Sequence, residues 1–333
     1  MYSGGVIVAS LKSKLWAGVL FLAGSLSVGS AVPFPPEALP AVNIGQRLPS
    51  NFEASGLVWH TELQRLFLVS DSGLVASMTD RGEDLELWPV DADIEAVTVA
   101  NPKSDFIYLG IEHPDSIYEF NLSTGTVSRI FDLTGWMDGP KNSGLEALTF
   151  VPDDADPEGG LFYAGLQETG QIFVFRLPIL SSADSAAVTF IGSIYPIQGI
   201  KNISGMHYVP TQDVLYAIYD NTDLLRAMTT DGSLLGQWSL PGNDQEGVTI
   251  KGSELYLCED YGNEGGAVYR YAPFVVFPQP DLNNDGKVDL HDYAVFSGYW
   301  RSGLFWTFAD LNADGRLDVS DVALFASLWL RGK

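Results

Sequence analysis

The 333-residue sequence has one cysteine, Cys258, and four histidines. A single cysteine excludes an intramolecular disulfide framework. Cys258 lies in a short apolar run that predicts a β-strand, and no Cys-His motif accompanies it. We therefore interpret Cys258 as a small buried hydrophobe and not as a catalytic thiol.

Basic residues are scarce as well. The chain has 18 Lys and Arg against 42 Asp and Glu, which gives a formal net charge of −24 at pH 7. Phosphates would be repelled by so acidic a chain, so its charge argues against nucleic acid and anionic membranes as partners. The same excess of carboxylates favours cation binding.

Long hydrophobic runs are also missing. The apolar stretch from Leu15 to Leu26 is too short to span a bilayer comfortably. It follows Lys12 and Lys14, and small residues at 29–31 fit a cleavage site. We predict a signal peptide over residues 1–31, with an uncleaved anchor as the alternative, and a bacterial protein that is secreted to the exterior or the periplasm. Residues 32–40 are predicted to form a proline-rich, exposed leader.

A short motif recurs five times between these segments and the C-terminal region. Each copy has Glu or Ser, then Gly or Ala, then apolar residues alternating with small or polar ones, and consecutive copies are 40, 51, 58 and 42 residues apart. The copies are Ala54–Trp59, Ile94–Val99, Leu145–Phe150, Ile203–Tyr208 and Gln245–Ile250. Most copies are followed by a second, aromatic-rich strand pattern and then by a third strand pattern and a turn. This is the order of elements in a four-stranded propeller blade.

The repeats predict an all-β fold, a β-propeller over residues 41–275. We expect five blades, with the segment from Ala41 to Leu48 supplying the missing outer strand of the fifth and thereby closing the ring. A sixth blade within the long third unit is the alternative, because strand patterns at 187–191 and around 193–195 leave room for it. A single ring of this kind is expected to be monomeric.

Ring symmetry would place the Glu and Ser positions of the five motifs on one rim of the central channel. Three carboxylates there would repel one another strongly unless a divalent cation neutralised them. We therefore predict a metal- or ligand-binding face formed by Glu95, Glu146 and Glu246, with Ser55 and Ser204 in the other two units. The alternative is that these glutamates accept backbone hydrogen bonds between blades. The neighbouring strands end in a second predicted ring, consisting of Asp71, Glu112, Gln167, Asp220 and Asp260.

A proline-rich linker at 276–280 precedes two calcium-loop patterns, which begin 29 residues apart within a predicted module over residues 281–331. Oxygen donors occupy loop positions 1, 3, 5, 9 and 12, Gly occupies position 6, and position 7 offers a backbone carbonyl. The predicted ligands are Asp281, Asn283, Asp285, Lys287, Asp289 and Asp292 in the first loop and Asp310, Asn312, Asp314, Arg316, Asp318 and Asp321 in the second. An apolar helical stretch follows each loop. The alternative is a pair of acidic turns without metal.

These duplicated loop–helix segments, with Asp at position 12, resemble a dockerin. The resemblance covers roughly residues 279–331 and implies two bound calcium ions and an extracellular partner, either a cohesin or another protein. In the best-known dockerin type, positions 10 and 11 carry Ser-Thr for cohesin recognition. Here they are Leu290-His291 and Val319-Ser320, so the resemblance supports calcium binding but does not identify the partner.

Residues 45–272 resemble the SdiA-regulated family of secreted propellers, which is akin to phytase-like and lactonase-like propellers. The resemblance rests on the Glu-Ala/Gly and Ser-Gly starts and on the Leu-Tyr-Leu strands that follow several of them. It implies a calcium-binding propeller, with one further ion in the channel.

Three functions remain open from the sequence. The favoured one is a secreted, calcium-binding recognition protein attached to a scaffold through its dockerin-like module. The second is a calcium-dependent hydrolase of a phosphoester, ester or lactone at the channel mouth. The third is a carbohydrate-active enzyme of polysaccharide catabolism. The only support for this hypothesis is the kind of protein that dockerins accompany. No catalytic residue is assigned. His113 and His207 are conceivable general bases, and His60, between a strand and a turn, is predicted to lie on the surface.

Overall fold

A computed structural model describes residues 32–33, 41–137, 139–252, 254–261, 266–272, 274, 282, 288–302, 309, 311, 317–327 and 329. The predicted signal peptide, residues 34–40 of the predicted leader, and most predicted calcium ligands lie outside these residues. Within them, β-strands account for almost all regular structure.

Two short strands come first, β1 (Val32–Pro33) and β2 (Val42–Asn43). The next eight strands form two antiparallel sheets of four, in chain order within each sheet. The first sheet contains β3 (Ala54–His60), β4 (Arg65–Ser70), β5 (Leu74–Met78) and β6 (Glu86–Pro89), and the second contains β7 (Ile94–Thr98), β8 (Phe106–Ile111), β9 (Ser116–Asn121) and β10 (Thr126–Asp132).

The third sheet contains β11 (Leu145–Pro152), β12 (Gly160–Leu166), β13 (Gln171–Arg176) and β14 (Thr189–Ile194). The fourth is formed by β15 (Ile203–Val209), β16 (Val214–Tyr219), β17 (Leu224–Met228) and β18 (Leu234–Ser239). The fifth is formed by β19 (Gln245–Lys251), β20 (Glu254–Asp260) and β21 (Gly266–Tyr271) together with β2.

These five sheets are the blades of a β-propeller. The first strand of each blade is innermost, and the inner strands contact one another in the order β3, β7, β11, β15, β19 and back to β3. The approach is close: a Cβ added to Gly205 would lie 2.8 Å from the Cα of Gly247. The prediction of five blades is confirmed, and the alternative of a sixth is wrong, because Thr189–Ile194 is the outer strand of the third blade.

Five apolar layers lie between neighbouring blades and form the core. The layers arise from the two-residue period of a strand, which sends alternate side chains to opposite faces. In β20, Leu255 and Leu257 pack towards the fourth blade, whereas Tyr256 and Cys258 pack towards the first. Because both faces of a blade are covered, most residues of its second strand are apolar.

The N-terminal strands lie at the outer edges of two blades. Val42 and Asn43 of β2 pair antiparallel with Arg270 and Tyr269 of β21. This pairing involves only two residues, so closure of the ring by an N-terminal strand stays a prediction. β1 pairs in parallel with β18, so residues 32–33 of the predicted leader are part of a sheet.

Two helices, α1 (Leu290–Ser302) and α2 (Val319–Ser327), follow the two predicted calcium loops. Phe296 and Phe325 are buried between them in a small apolar cluster. Leu324 of α2 packs against this cluster and also against the apolar layer between the fourth and fifth blades. Among the described residues, no helix combines the length and the apolar character that crossing a membrane requires.

Candidate cation site at the mouth of the propeller channel

Each of the five inner strands has an irregular register at its first residues. The pairing shifts between Ala54 and Gly56 in β3, and the equivalent shift recurs in β7, β11, β15 and β19. A bulge leaves one residue without a partner on the neighbouring strand and re-aims its side chain. The bulged residues are Ser55, Glu95, Glu146, Ser204 and Glu246, which are the predicted rim positions.

The bulges surround a small pocket with a cavity volume of about 10 Å³ at one end of the channel. Glu95, Glu146, Ser204 and Glu246 line it, whereas Ser55 is not among its lining residues. The rest of the wall consists of small and apolar residues that follow the bulges: Gly56, Leu57, Ala96, Val97, Ala147, Leu148, Gly205, Met206, Gly247 and Val248. Small residues directly after each bulge leave the space into which the carboxylates reach.

The three glutamates are held in a setting that disfavours their charged forms. Burial is the main cause that raises the pKa of each of them, and the charges of neighbouring carboxylates raise it further. The pKa of Glu246 rises to about 8, and those of Glu95 and Glu146 rise well above their usual range. Charges on Glu95 and Glu246 raise the pKa of Glu146, so the three side chains share one electrostatic environment.

Four residues of the predicted second ring act on the same site through their charge. Asp71 and Glu112 raise the pKa of Glu95, and Asp220 and Asp260 raise that of Glu246. Glu112 is buried, and its Oε1 accepts a hydrogen bond from the Gly144 amide at 3.2 Å. The acidic ends of the second strands therefore surround the bulged glutamates.

Three further acids at the mouth were not predicted from the sequence: Glu53, Asp93 and Asp244. Each lies two residues before a bulge. The backbone carbonyl of Asp93 accepts a hydrogen bond from the amide of Glu112, and that of Asp244 accepts one from the amide of Asp260, so both are tied to the second ring. Extending the repeated motif by two residues towards the N-terminus would have shown these acids. Carboxylate oxygens of Asp93, Glu95 and Glu112 all lie within 4.8 Å of one another, close enough to hold one metal ion.

A different polar layer lies further along the same strands. Thr98, Thr149 and Thr249, each three residues after a bulge, are buried. Their hydroxyl oxygens accept hydrogen bonds from the amides of Phe150, Tyr208 and Trp59 in the next blade, each at 3.1 Å. These threonines tie neighbouring inner strands together, a role that the sequence motif did not reveal.

The fourth blade has His207 at the threonine position. Its Nδ1 is 3.3 Å from Oγ1 of Thr249, and burial lowers its pKa to about 4, so the ring is neutral at pH 7. His60, predicted to be a surface residue, is fully buried in β3 and packs against Phe67, so that prediction was wrong. The strand continues one residue further than its pattern indicated and carries His60 into the layer between two blades.

This arrangement has the chemistry of a site for a hard divalent cation. Carboxylate oxygens are the ligands that calcium prefers, and a cation would relieve the repulsion among the three bulged glutamates. The cavity, at about 10 Å³, is far smaller than the roughly 300–1,000 Å³ of typical small-molecule sites. A cavity of this size holds about one atom as large as a water molecule, so a single cation fits between the glutamates whereas a bulky organic substrate does not.

The structure describes only the last ligands of the two predicted calcium loops. Asp292 and Asp321, at position 12, are fully buried at the starts of α1 and α2. Each accepts a hydrogen bond from the backbone amide of the loop's position-9 residue, Asp289 or Asp318, at 2.8 and 2.7 Å. Buried carboxylates fixed at these points suit calcium binding. The other eight predicted ligands lie outside the described residues.

Comparisons with protein families match two segments of the chain. Residues 187–266 match the family model described as SdiA-regulated, and residues 279–327 match the model of the dockerin type I domain. Both resemblances inferred from the sequence are thereby confirmed for these segments. Dockerin domains generally bind calcium, typically bind cohesins and occur on extracellular proteins.

Solved structures give more distant similarities, and no curated protein matches the chain. Glutaminyl cyclase of Myxococcus xanthus is 11% identical with a TM-score of 0.49, covering 72% of this chain and 96% of its own. A luciferin-regenerating enzyme is 13% identical with a TM-score of 0.42, covering 70% and 95%. Hydrazine synthase of Kuenenia stuttgartiensis is 14% identical with a TM-score of 0.39, covering 63% and 56%. The chain is a five-bladed β-propeller in which one segment matches the SdiA-regulated family model and a C-terminal segment matches the dockerin type I model.

Proposed function

We propose that this protein is an exported recognition protein. Its propeller binds one calcium ion at the channel mouth, and its C-terminal module binds two calcium ions and attaches the protein to a cohesin or to another extracellular scaffold protein. The observation that carries the proposal is the pocket lined by three bulged glutamates, of which Glu146 is buried and Glu95 and Glu246 are half-buried.

Charge and burial support the ion in the propeller. Like-charged carboxylates in a desolvated pocket destabilise one another unless a proton or a cation intervenes. Asp93, Glu95 and Glu112 supply three oxygens around one point, and Glu112 lies close enough to Glu146 to add to the burial that raises the pKa of Glu146. The bulged Glu95 and Glu146 and the acids around them are therefore the proposed ligands, with Glu246 facing them from the fifth blade.

Calcium stoichiometry tests this part of the proposal. Isothermal titration of the full chain should give three sites. The variant Asp292→Asn/Asp321→Asn, which removes one carboxylate charge from each C-terminal loop, should keep the propeller site and lose the other two. A single class of two sites in the unsubstituted chain, both lost in this variant, would contradict calcium binding by the propeller.

The recognition function is favoured over hydrolysis by the size of the pocket. A hydrolase would need room for a scissile ester or phosphoester next to the ion. A panel of phosphoesters, esters and lactones, tested with and without a calcium chelator, should therefore show no turnover. Chelator-sensitive turnover that disappears in Glu146→Gln would instead establish the metal-dependent hydrolase.

The attachment function is tested separately. Immobilised cohesin modules should retain the full chain in calcium and release it when calcium is chelated, because dockerin folding depends on its ions. Retention that is unchanged in Asp292→Asn/Asp321→Asn would show that another surface makes the contact. A role in polysaccharide catabolism would follow only if the scaffold protein to which this chain attaches also carries enzymes of that process.

A further inference from the structure

The arginines of the described blades differ in how their charges are neutralised. Arg129 is buried and pairs with Glu119, whose Oε2 lies 2.7 Å from its Nε. Arg176 pairs with Asp156, with its Nε 2.8 Å from a carboxylate oxygen. Arg226 of β17 is only 8% exposed, yet it forms no ion pair with any residue of the described ranges. In a chain with this excess of acids, a buried guanidinium without a carboxylate stands out.

The position of Arg226 follows from the register of the fourth blade. It lies opposite Ala217 of β16, and Tyr219 is two residues further along β16 on the same face. This face packs against the third blade through Ala217, Tyr219 and Met228. Diagonal neighbours across a strand pair are about 7–8 Å apart, so two long side chains reach the same space without being directly opposed.

Both side chains present hydrogen-bond donors that are not used. The Nε of Arg226 and the hydroxyl of Tyr219 are buried, and neither has a hydrogen-bond partner within the described part of the chain. Tyr219 is fully buried. An unpaired buried donor costs about 1–3 kcal/mol, and an unpaired buried charge costs more. The guanidinium stays charged at every physiological pH, so it cannot escape this cost by losing its proton.

We infer that Arg226 and Tyr219 form a binding site for a small inorganic anion, such as chloride, between the third and fourth blades. Both groups are donors, so their complement is an acceptor, and a negative ion also neutralises the guanidinium. A water molecule would satisfy the donors and leave the charge uncompensated. The proposal does not depend on the cation site at the channel mouth.

The bound anion would act as a structural bridge. Arg226 lies on β17 between Leu224 and Met228, which pack into the apolar layer between the third and fourth blades. An anion there removes the penalty for placing a charge in this layer. Its binding to the folded state alone would then stabilise the propeller by mass action.

Bromide provides a direct test because it replaces chloride and scatters anomalously. Crystals of the full chain soaked in sodium bromide should show an anomalous peak within hydrogen-bond distance of both Arg226 Nε and the Tyr219 hydroxyl. The same soak of Arg226→Met should lack this peak and keep any bromides bound at surface lysines. A water-like density without anomalous signal, or a peak that persists in Arg226→Met, would overturn the proposal.

Thermal unfolding gives a second test in solution. At equal ionic strength, the Tm of the unsubstituted chain should be about 2–4 °C higher in sodium chloride than in sodium gluconate, whose anion is too large for the site. Arg226→Met and Tyr219→Phe should remove or reduce this difference, and Arg65→Met, at an arginine already paired with Glu86, should retain it. If all four proteins respond alike, the proposal is wrong. The bromide experiment on the unsubstituted chain decides the question even if Arg226→Met does not fold.

Discussion

The two ends of the same five inner strands differ in how their polar groups are satisfied. At the mouth, bulges direct Glu95, Glu146 and Glu246 into a shared pocket, where burial and mutual repulsion raise their pKa values. Three residues further on, buried threonine hydroxyls accept amide hydrogen bonds from the next blade. One end holds carboxyl groups whose charged forms are disfavoured until a cation binds, which is typical of binding sites, and the other holds a satisfied network that stabilises the ring.

The largest effect should come from removing two carboxylates at the mouth. We expect Glu95→Gln/Glu146→Gln to weaken calcium binding at the propeller site by at least about 100-fold, or about 2.8 kcal/mol, because two of its negative ligands become neutral. Isothermal titration of the full chain measures this. The exposed Glu83→Gln is the control and should leave the affinity unchanged. An affinity loss equal to that of the control would show that these glutamates do not hold the ion.

The second effect is a dependence of stability on pH in the absence of calcium. The pKa of Glu246 is raised to about 8 in the folded protein, and those of Glu95 and Glu146 are also raised, so the folded state holds protons that the unfolded state releases near pH 4.5. The contribution of these groups to the free energy of unfolding should therefore be fully present below about pH 4.5. It should fall as the pH rises towards 8, by up to about 1.4 kcal/mol per pH unit for each proton.

Denaturant unfolding at several pH values in chelator measures this slope, and calcium should flatten it by replacing the protons. Glu95→Gln/Glu146→Gln should flatten it without calcium, because the amides do not titrate. A stability that rises from pH 5 to pH 8 in chelator would contradict the predicted electrostatics of the mouth.

The third effect concerns the satisfied end of the strands. Thr249→Val keeps the shape of the side chain but leaves the buried amide of Trp59 without an acceptor, so we expect a loss of about 1–3 kcal/mol in the free energy of unfolding. Calcium affinity at the mouth should not change. Thr189→Val, at an exposed position on β14, is the control and should cost less than about 0.5 kcal/mol. Equal losses of unfolding free energy in Thr249→Val and Thr189→Val would contradict the stabilising role assigned to the threonine end of the inner strands.

The smallest effect should come from the N-terminal strand. Deleting residues 1–43 removes β1 and β2, each of which pairs with a blade through two residues, so we expect a loss of about 1 kcal/mol in the free energy of unfolding. The ring should stay folded, since β19 and β3 contact each other directly and Lys251 lies 4.5 Å from the centre of the Trp59 ring across the same seam. If the deletion abolishes cooperative unfolding, the N-terminal strands are needed to close the ring and are not merely additions to its fourth and fifth blades.

The blade strands were largely predictable because their signals are local. The five motif copies coincide with β3, β7, β11, β15 and β19, and the aromatic-rich segments that follow coincide with the second strands of the blades. Errors arose where the local pattern is ambiguous. The segment at 187–195 has the composition of two strands but contains one. Its residues Thr189–Ile194 pair with β13 and complete the third blade as its outer strand.

The sequence by itself determined which residues recur at the start of each inner strand and which faces of each strand are apolar, since both follow from a side-chain period of two. Tertiary structure decided that the bulged glutamates share one pocket, that Asp93 and Asp244 join them, and that Thr98, Thr149 and Thr249 connect neighbouring blades. The physical reason is that residues 40 to 60 positions apart meet only when the ring closes, and the geometry at its axis depends on how many blades complete it.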